Sequence, residues 1–95
     1  MHSTRAHVWI SGTVQGVGFR ESTREQALKL GVQGWIRNLP DGRVEGVFEG
    51  APAAVDGVLR FVRKGPSHAV VESLIINDEP VTGEFSSFTV LRGKP

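Results

Sequence analysis

Gly12-Thr13-Val14-Gln15-Gly16-Val17-Gly18-Phe19-Arg20 is the stretch on which the reading of this chain turns. Ahead of it, Ala6 to Gly12 alternates: Val8, Ile10 and Gly12 fall on one side, His7, Trp9 and Ser11 on the other. That period of two marks a half-buried strand. Behind it, from Glu21 to Leu30, the spacing becomes helical, with Phe19, Thr23, Ala27 and Leu30 on one stripe. The quoted run is therefore a strand-to-helix loop. Its glycines permit positive φ and remove side chains that would hold a ligand away from the backbone. Successive N–H groups can turn inward there as an anion-binding nest, reinforced by the dipole of the helix start. Arg20 adds a fixed charge and a planar fork of donors suited to phosphate.

Working outward, Glu25 and Lys29 form a favourable i, i+4 pair and Gly31 stops the helix. Thr23 faces inward one turn from the loop, where it either braces the loop or bonds back to its own helix. Val32 to Asn38 reads as a second strand. Leu39-Pro40-Asp41-Gly42 is a turn, and Arg43 to Gly50 returns as a third strand, with Val44, Gly46 and Phe48 inward and Glu45 and Glu49 outward. Ala51-Pro52 opens a second helix with a Val55, Val58, Leu59, Val62 stripe, which Gly65-Pro66 ends. Arg60, Arg63 and Lys64 read as its solvated face and last turn. Val70 to Asn77 is another strand, with Leu74 and Ile76 as core candidates. Phe88 and Val90 close the sheet, and Gly93-Lys94-Pro95 reads as a fraying tail.

The order strand, helix, strand, strand, helix, strand, plus a short final strand, predicts an α+β fold. It is the ferredoxin-like split βαβ sandwich (βαββαβ), an antiparallel sheet with two helices on one face. The 95 residues, 39% hydrophobic and 22% charged, are expected to form a single domain over 1–95. The start shows no apolar signal region and the chain no membrane span, so a cytoplasmic location is expected. Without cysteine there is no disulfide, thiolate metal site or cysteinyl-phosphate. A net charge of +1 gives no broad basic field, so nucleic acid is not an expected partner. His7 lacks a second histidine at metal spacing and reads as a surface strand residue, and Trp9 as cover on the open sheet face.

In this topology the first and second strands run parallel with the third between them. Their C-terminal ends, the Gly-rich loop and Asn38, share one edge of the sheet, roughly 10 Å apart. The chemical inventory there is backbone amides, one arginine and one carboxamide. No Ser-His-Asp set is present, no lysine follows the glycines as in a P-loop, and no carboxylate cluster would hold magnesium. Asn38 cannot be a strong base, but it can orient a water. Such a site suffices where the leaving group departs unprotonated. A carboxylate does so, since its conjugate acid has a pKa of about 4. An acyl phosphate is thus the substrate class that fits, in a transfer governed by positioning and electrostatics.

Gly12-Thr-Val-Gln-Gly-Val-Gly-Phe-Arg20, followed by Gly34-Trp-Ile-Arg-Asn38-Leu-Pro-Asp-Gly42, closely resembles the signatures of the acylphosphatase family, and the resemblance runs from the first strand to Gly83-Glu84-Phe85. It implies hydrolysis of small acyl phosphates to a carboxylate and inorganic phosphate by a free-standing monomer. It also implies no metal, no cofactor and no covalent phosphoenzyme. Arg20 matches the family's phosphate-binding arginine and Asn38 its water-orienting asparagine. The backbone amides of Gln15, Gly16, Val17, Gly18, Phe19 and Arg20 match its phosphate cradle. Glu21-Ser22 departs from the basic or aromatic residues frequent after the arginine. Glu21 either competes with substrate for Arg20 or only favours the first helical turn.

Three other readings follow from the same features. The motif also resembles the N-terminal domain of hydrogenase-maturation carbamoyltransferases, which acts on carbamoyl phosphate. A non-catalytic phosphate-binding module would keep the cradle. The fold also serves RNA-binding modules, but Glu45, Val47 and Glu49 on the open face would repel a nucleic-acid backbone and no aromatic RNP1-like run is present.

Overall fold

The computed structural model describes residues 2–92. The chain runs β1 (Thr4–Thr13), α1 (Phe19–Leu30), β2 (Gln33–Asn38), β3 (Val44–Gly50), α2 (Pro52–Lys64), β4 (Val70–Glu79) and β5 (Phe88–Leu91). This is the ferredoxin-like order. Met1 and the Gly93-Lys94-Pro95 tail lie outside the described residues. Among the described residues no helix is long and apolar enough to cross a membrane.

The strands lie in the order β4-β1-β3-β2-β5. β3 pairs antiparallel with both β1 and β2, so β1 and β2 run parallel and end at the same edge. The sheet is mixed, however, not antiparallel throughout: β5 pairs parallel with β2, from Gly34↔Phe88 to Arg37↔Leu91. The reason is the route of the chain. β4 ends away from the Gly-rich loop, and residues 80–87 cross that end of the sheet to its opposite edge. β5 therefore starts beside the start of β2 and also finishes beside its finish.

Both helices cover one face. Val8 and Ile10 of β1, Ile36 of β2 and Phe48 of β3 are fully buried there against Phe19 and Ala27 of α1 and Val58 and Val62 of α2. Each such side chain contributes about 1.5–3 kcal/mol by leaving water. α1 ends as its glycine suggests: Gly31 is left-handed at φ 75°, and the N–H groups of Gly31 and Val32 bond to Leu28 and Ala27 carbonyls. α2 begins with Pro52 after Ala51 and closes with the Gly65 N–H on the Phe61 carbonyl.

Several expectations differ in detail. Leu30 is 40% exposed, at the rim of the stripe and beside Gly57 on α2. Leu74 and Ile76 are half-buried because β4 is an edge strand. Thr23 bonds back to the Phe19 carbonyl at 2.8 Å, so it does not brace the loop. The ion pair of α1 is Arg24 with Glu21 at 3.0 Å; Glu25 and Lys29 form none among the described residues, as the small gain of an exposed pair allows.

The open face differs most. His7 is not a solvated surface residue: its Nδ1 lies 2.7 Å from Glu79 and its Nε2 2.6 Å from Glu45, with the Trp9 ring stacked on it at 4.1 Å. Glu45 also accepts from Arg37 at 2.7 Å. Glu49 takes the N–H groups of Thr82 and Gly83 and lies 3.5 Å from Arg5. The outward carboxylates of β3 are therefore buried, at 6% and 3% exposure, by partners from β1, β2 and the 80–87 segment.

Candidate active site

The site forms where β1 passes into α1. Gly12 has φ 125° at a bulge between β1 and β4, and a Cβ there would lie 2.1 Å from the Val70 carbonyl oxygen. This glycine is demanded by the neighbouring strand, not by a ligand. Gly18 is different. It is left-handed at φ 76°, and nothing lies within 4 Å of where its Cβ would be. It occupies the N-cap of α1, where Ser or Asp would ordinarily supply a capping oxygen, and among the described residues no side chain caps the helix. The amides of the first turn are thus left without a side-chain acceptor.

A cavity of about 200 Å³ opens at this helix start, lined by Val14, Gly16, Gly18, Phe19, Arg20, Glu21, Asn38, Val90 and Arg92. Arg20 and Asn38, eighteen residues apart in sequence, meet there because β1 and β2 end together. Arg20 is half-buried and has no ion-pair partner among the described residues. The Oδ1 of Asn38 is buried and has no hydrogen-bond partner among the described residues. A buried acceptor left unpaired costs about 1–3 kcal/mol, so its retention points to a ligand or water that satisfies it.

Of the expected cradle, Gly16, Gly18, Phe19 and Arg20 line the cavity, whereas Gln15 and Val17 do not. Val17 packs against the core. The Gln15 side chain instead turns to the hairpin between β2 and β3, its Nε2 donating to the carbonyls of Leu39 and Arg43. That hairpin is held internally as well. Asp41 accepts the Arg43 N–H at 3.1 Å and its Nε at 2.8 Å. The Arg43 backbone N–H first, and after an opposing effect of burial the Arg43 guanidinium, hold the Asp41 carboxyl below its ordinary value. Glu21 lines the cavity, but its side chain is 62% exposed and its carboxylate engaged by Arg24.

Sequence reasoning missed Arg92, Val90 and the side-chain role of Gln15. The first two follow from the parallel β2–β5 pairing, which carries the end of β5 to the site. The third had a signal, since the topology already set the loop beside the Leu39-to-Arg43 turn.

The cavity is smaller than the roughly 300–1,000 Å³ that encloses drug-sized ligands. It suits a phosphoryl group and a water, with the remainder of a substrate outside. Uncapped amides and Arg20 supply positive potential for an anion, and Asn38 supplies an oriented acceptor and donors. Among the described residues no group of three histidine or acidic side chains is placed to bind a metal ion.

The protein-family model described as Acylphosphatase matches residues 6–90. A relative named acylphosphatase from Gloeobacter violaceus is 57% identical over 90 residues, covering 95% of this chain and 96% of its own. Another of that name, from Rubrobacter xylanophilus, is 56% identical over 86 residues, 90% of this chain and 78% of its own. Among solved structures, an acylphosphatase from Coxiella burnetii superposes with a TM-score of 0.88 at 37% identity, covering 94% of this chain and 93% of that one.

Proposed function

This chain belongs to the acylphosphatase family and hydrolyses the carboxyl–phosphate bond of small acyl phosphates, and we propose that Arg20 and Asn38 carry that reaction. The phosphoryl group sits over the Gln15-to-Arg20 loop, held by backbone N–H groups and the Arg20 guanidinium. Asn38 holds a water through its carboxamide, on the side of phosphorus away from the acyl oxygen. As the water oxygen bonds to phosphorus, the bond from phosphorus to the acyl oxygen breaks, and its electron pair leaves with the carboxylate. The water's proton passes to a phosphoryl oxygen. No general acid is required, because a carboxylate is stable unprotonated at neutral pH. Arg20 and the amides stabilise charge on the equatorial oxygens, a task of positioning and electrostatics that needs neither a metal nor a phosphoenzyme.

The observation that carries these roles is the buried Oδ1 of Asn38, unpartnered among the described residues, on a residue that lines the same cavity as Arg20. Relatives named acylphosphatase that match over nearly their whole length favour the hydrolase over the carbamoyl-transferring reading. The protein acts as a single-domain monomer in the cytoplasm. One family model spanning residues 6–90 supports the first point, and charged groups on the open face that pair within the chain support the second. A chain without cysteine requires no oxidising compartment.

The test is hydrolysis of benzoyl phosphate in the presence of EDTA. Turnover is expected in the wild type. Asn38→Ala should lower kcat by about tenfold or more while KM changes little, since it places the water and not the phosphate. Full turnover in Asn38→Ala, or loss of wild-type activity to EDTA, would refute this mechanism.

A further inference from the structure

The two arms of the site, the Gly-rich loop and the Asn38 strand end, belong to β1 and β2, and β3 separates them. One side chain spans that gap. The Nε2 of Gln15 donates to the Leu39 carbonyl at 2.8 Å and to the Arg43 carbonyl at 3.0 Å. Those two carbonyls are also the ones on which the turn closes: the Leu39 N–H bonds to the Arg43 carbonyl at 2.8 Å and the Gly42 N–H to the Leu39 carbonyl at 3.1 Å. Two carbonyl acceptors leave no choice in how the carboxamide is oriented. Its donor end must face the turn, and its two N–H bonds serve the two acceptors. Leu39 directly follows Asn38 in the chain, so the loop is tied to the residue next to the water-orienting group.

We infer that Gln15 is a positioning residue, which sets the phosphate loop in register with the Asn38 turn so that water, phosphorus and the leaving oxygen lie in line. The inference rests on the roles given above to Arg20 and Asn38. Its physical basis is the sensitivity of in-line displacement to alignment, in which a misplacement of about 1 Å can cost about 10²-fold in rate. The turn keeps its own backbone bonds and its Asp41 contacts when Gln15 is lost, so the hairpin survives and the registration does not.

The experiment is a double-mutant cycle on benzoyl phosphate hydrolysis, with inorganic phosphate as the competing ligand. Gln15→Met keeps the length of the side chain and removes the donor. It should lower kcat about tenfold or more, while the inhibition constant of inorganic phosphate changes by less than about threefold, because Arg20 and the loop amides still bind. Gln15→Glu places carboxylate oxygens against the two carbonyls and should be worse than Gln15→Met. In an Asn38→Ala background the same Gln15→Met change should alter kcat by less than about twofold, since no positioned water remains to be registered. An equal loss in both backgrounds, or equal losses of kcat and phosphate affinity, would mean that Gln15 merely stabilises the loop and would overturn the inference. Full turnover in Asn38→Ala alone would instead overturn the role of Asn38, and with it this inference, and so separates the two failures. Should Gln15→Met fold poorly by thermal unfolding, Gln15→Asn, which keeps the donor one methylene short, must show the same kcat-selective loss.

Discussion

The loop edge of the sheet and its open face treat polar groups in opposite ways. On the open face, Arg5, His7 and Arg37 meet Glu45, Glu49, Glu79 and Glu84 at 2.6–3.5 Å. At the loop edge, among the described residues, Arg20 has no acidic partner, the buried Asn38 Oδ1 has no hydrogen-bond donor, and α1 begins without a side-chain cap. Paired charges at a half-buried sheet surface serve the fold. Polar groups left unpaired in a cavity cost stability and are retained for a ligand. The distribution of satisfied and unsatisfied groups thus separates scaffold from site without reference to any relative.

The contrast makes predictions that differ in which property each region controls. The largest effect should come from Arg20→Ala, a loss of about two to three orders of magnitude in turnover, or ~3–4 kcal/mol of transition-state stabilisation. Its thermal midpoint should stay close to wild type, and a large fall in that midpoint would show that Arg20 belongs to the scaffold. Glu45→Ala should do the reverse. It strips His7 and Arg37 of a shared buried carboxylate and should cost about 3 kcal/mol in urea unfolding, while kcat at saturating substrate is retained in the folded protein.

A subtler effect concerns acid. The hydrogen bond from His7, and after an opposing effect of burial that from Arg5, hold the Glu79 carboxyl below its ordinary value of 4.5. A carboxyl whose folded pKa is depressed stabilises the fold fully above its unfolded value and loses that contribution as pH falls through the folded one. The stability gap between wild type and Glu79→Gln, measured by thermal unfolding from pH 7 downward, should therefore be constant to about pH 5 and close below it. The absence of any gap at pH 7 would remove Glu79 from the paired set. Glu21→Gln should matter least, changing inhibition by inorganic phosphate by less than about twofold, because its carboxylate is solvated and engaged by Arg24. A larger gain in phosphate affinity would move Glu21 into the site as a competitor for Arg20.

Much of this was legible in the chain itself. Alternation in Ala6–Gly12, the stripes at Phe19, Thr23, Ala27 and at Val55, Val58, Val62, and the Pro40-Asp41-Gly42 turn each report a local period or a local backbone demand. Such demands act over a few residues and are written in those residues. From the element order, the parallel run of β1 and β2 followed, and with it the meeting of Arg20 and Asn38. What did not follow were pairings that bring together residues tens of positions apart. His7 looked like a surface residue because nothing near it in sequence shows that Glu45 and Glu79 flank it. Gly12 read as one of the loop glycines that clear room for a ligand because Val70, which demands it, is 58 residues away.

The chain by itself therefore determined its elements, its sheet topology up to the last strand, and the two polar residues that meet at one edge, since periodicity and turn chemistry are short-range. Only the tertiary structure decided which polar groups are satisfied and which stand open. Satisfaction depends on distances of a few ångströms between segments remote in sequence, and that is where scaffold and site part: Glu45 enclosed by His7 and Arg37, Asn38 lining the cavity with a buried acceptor unpaired among the described residues.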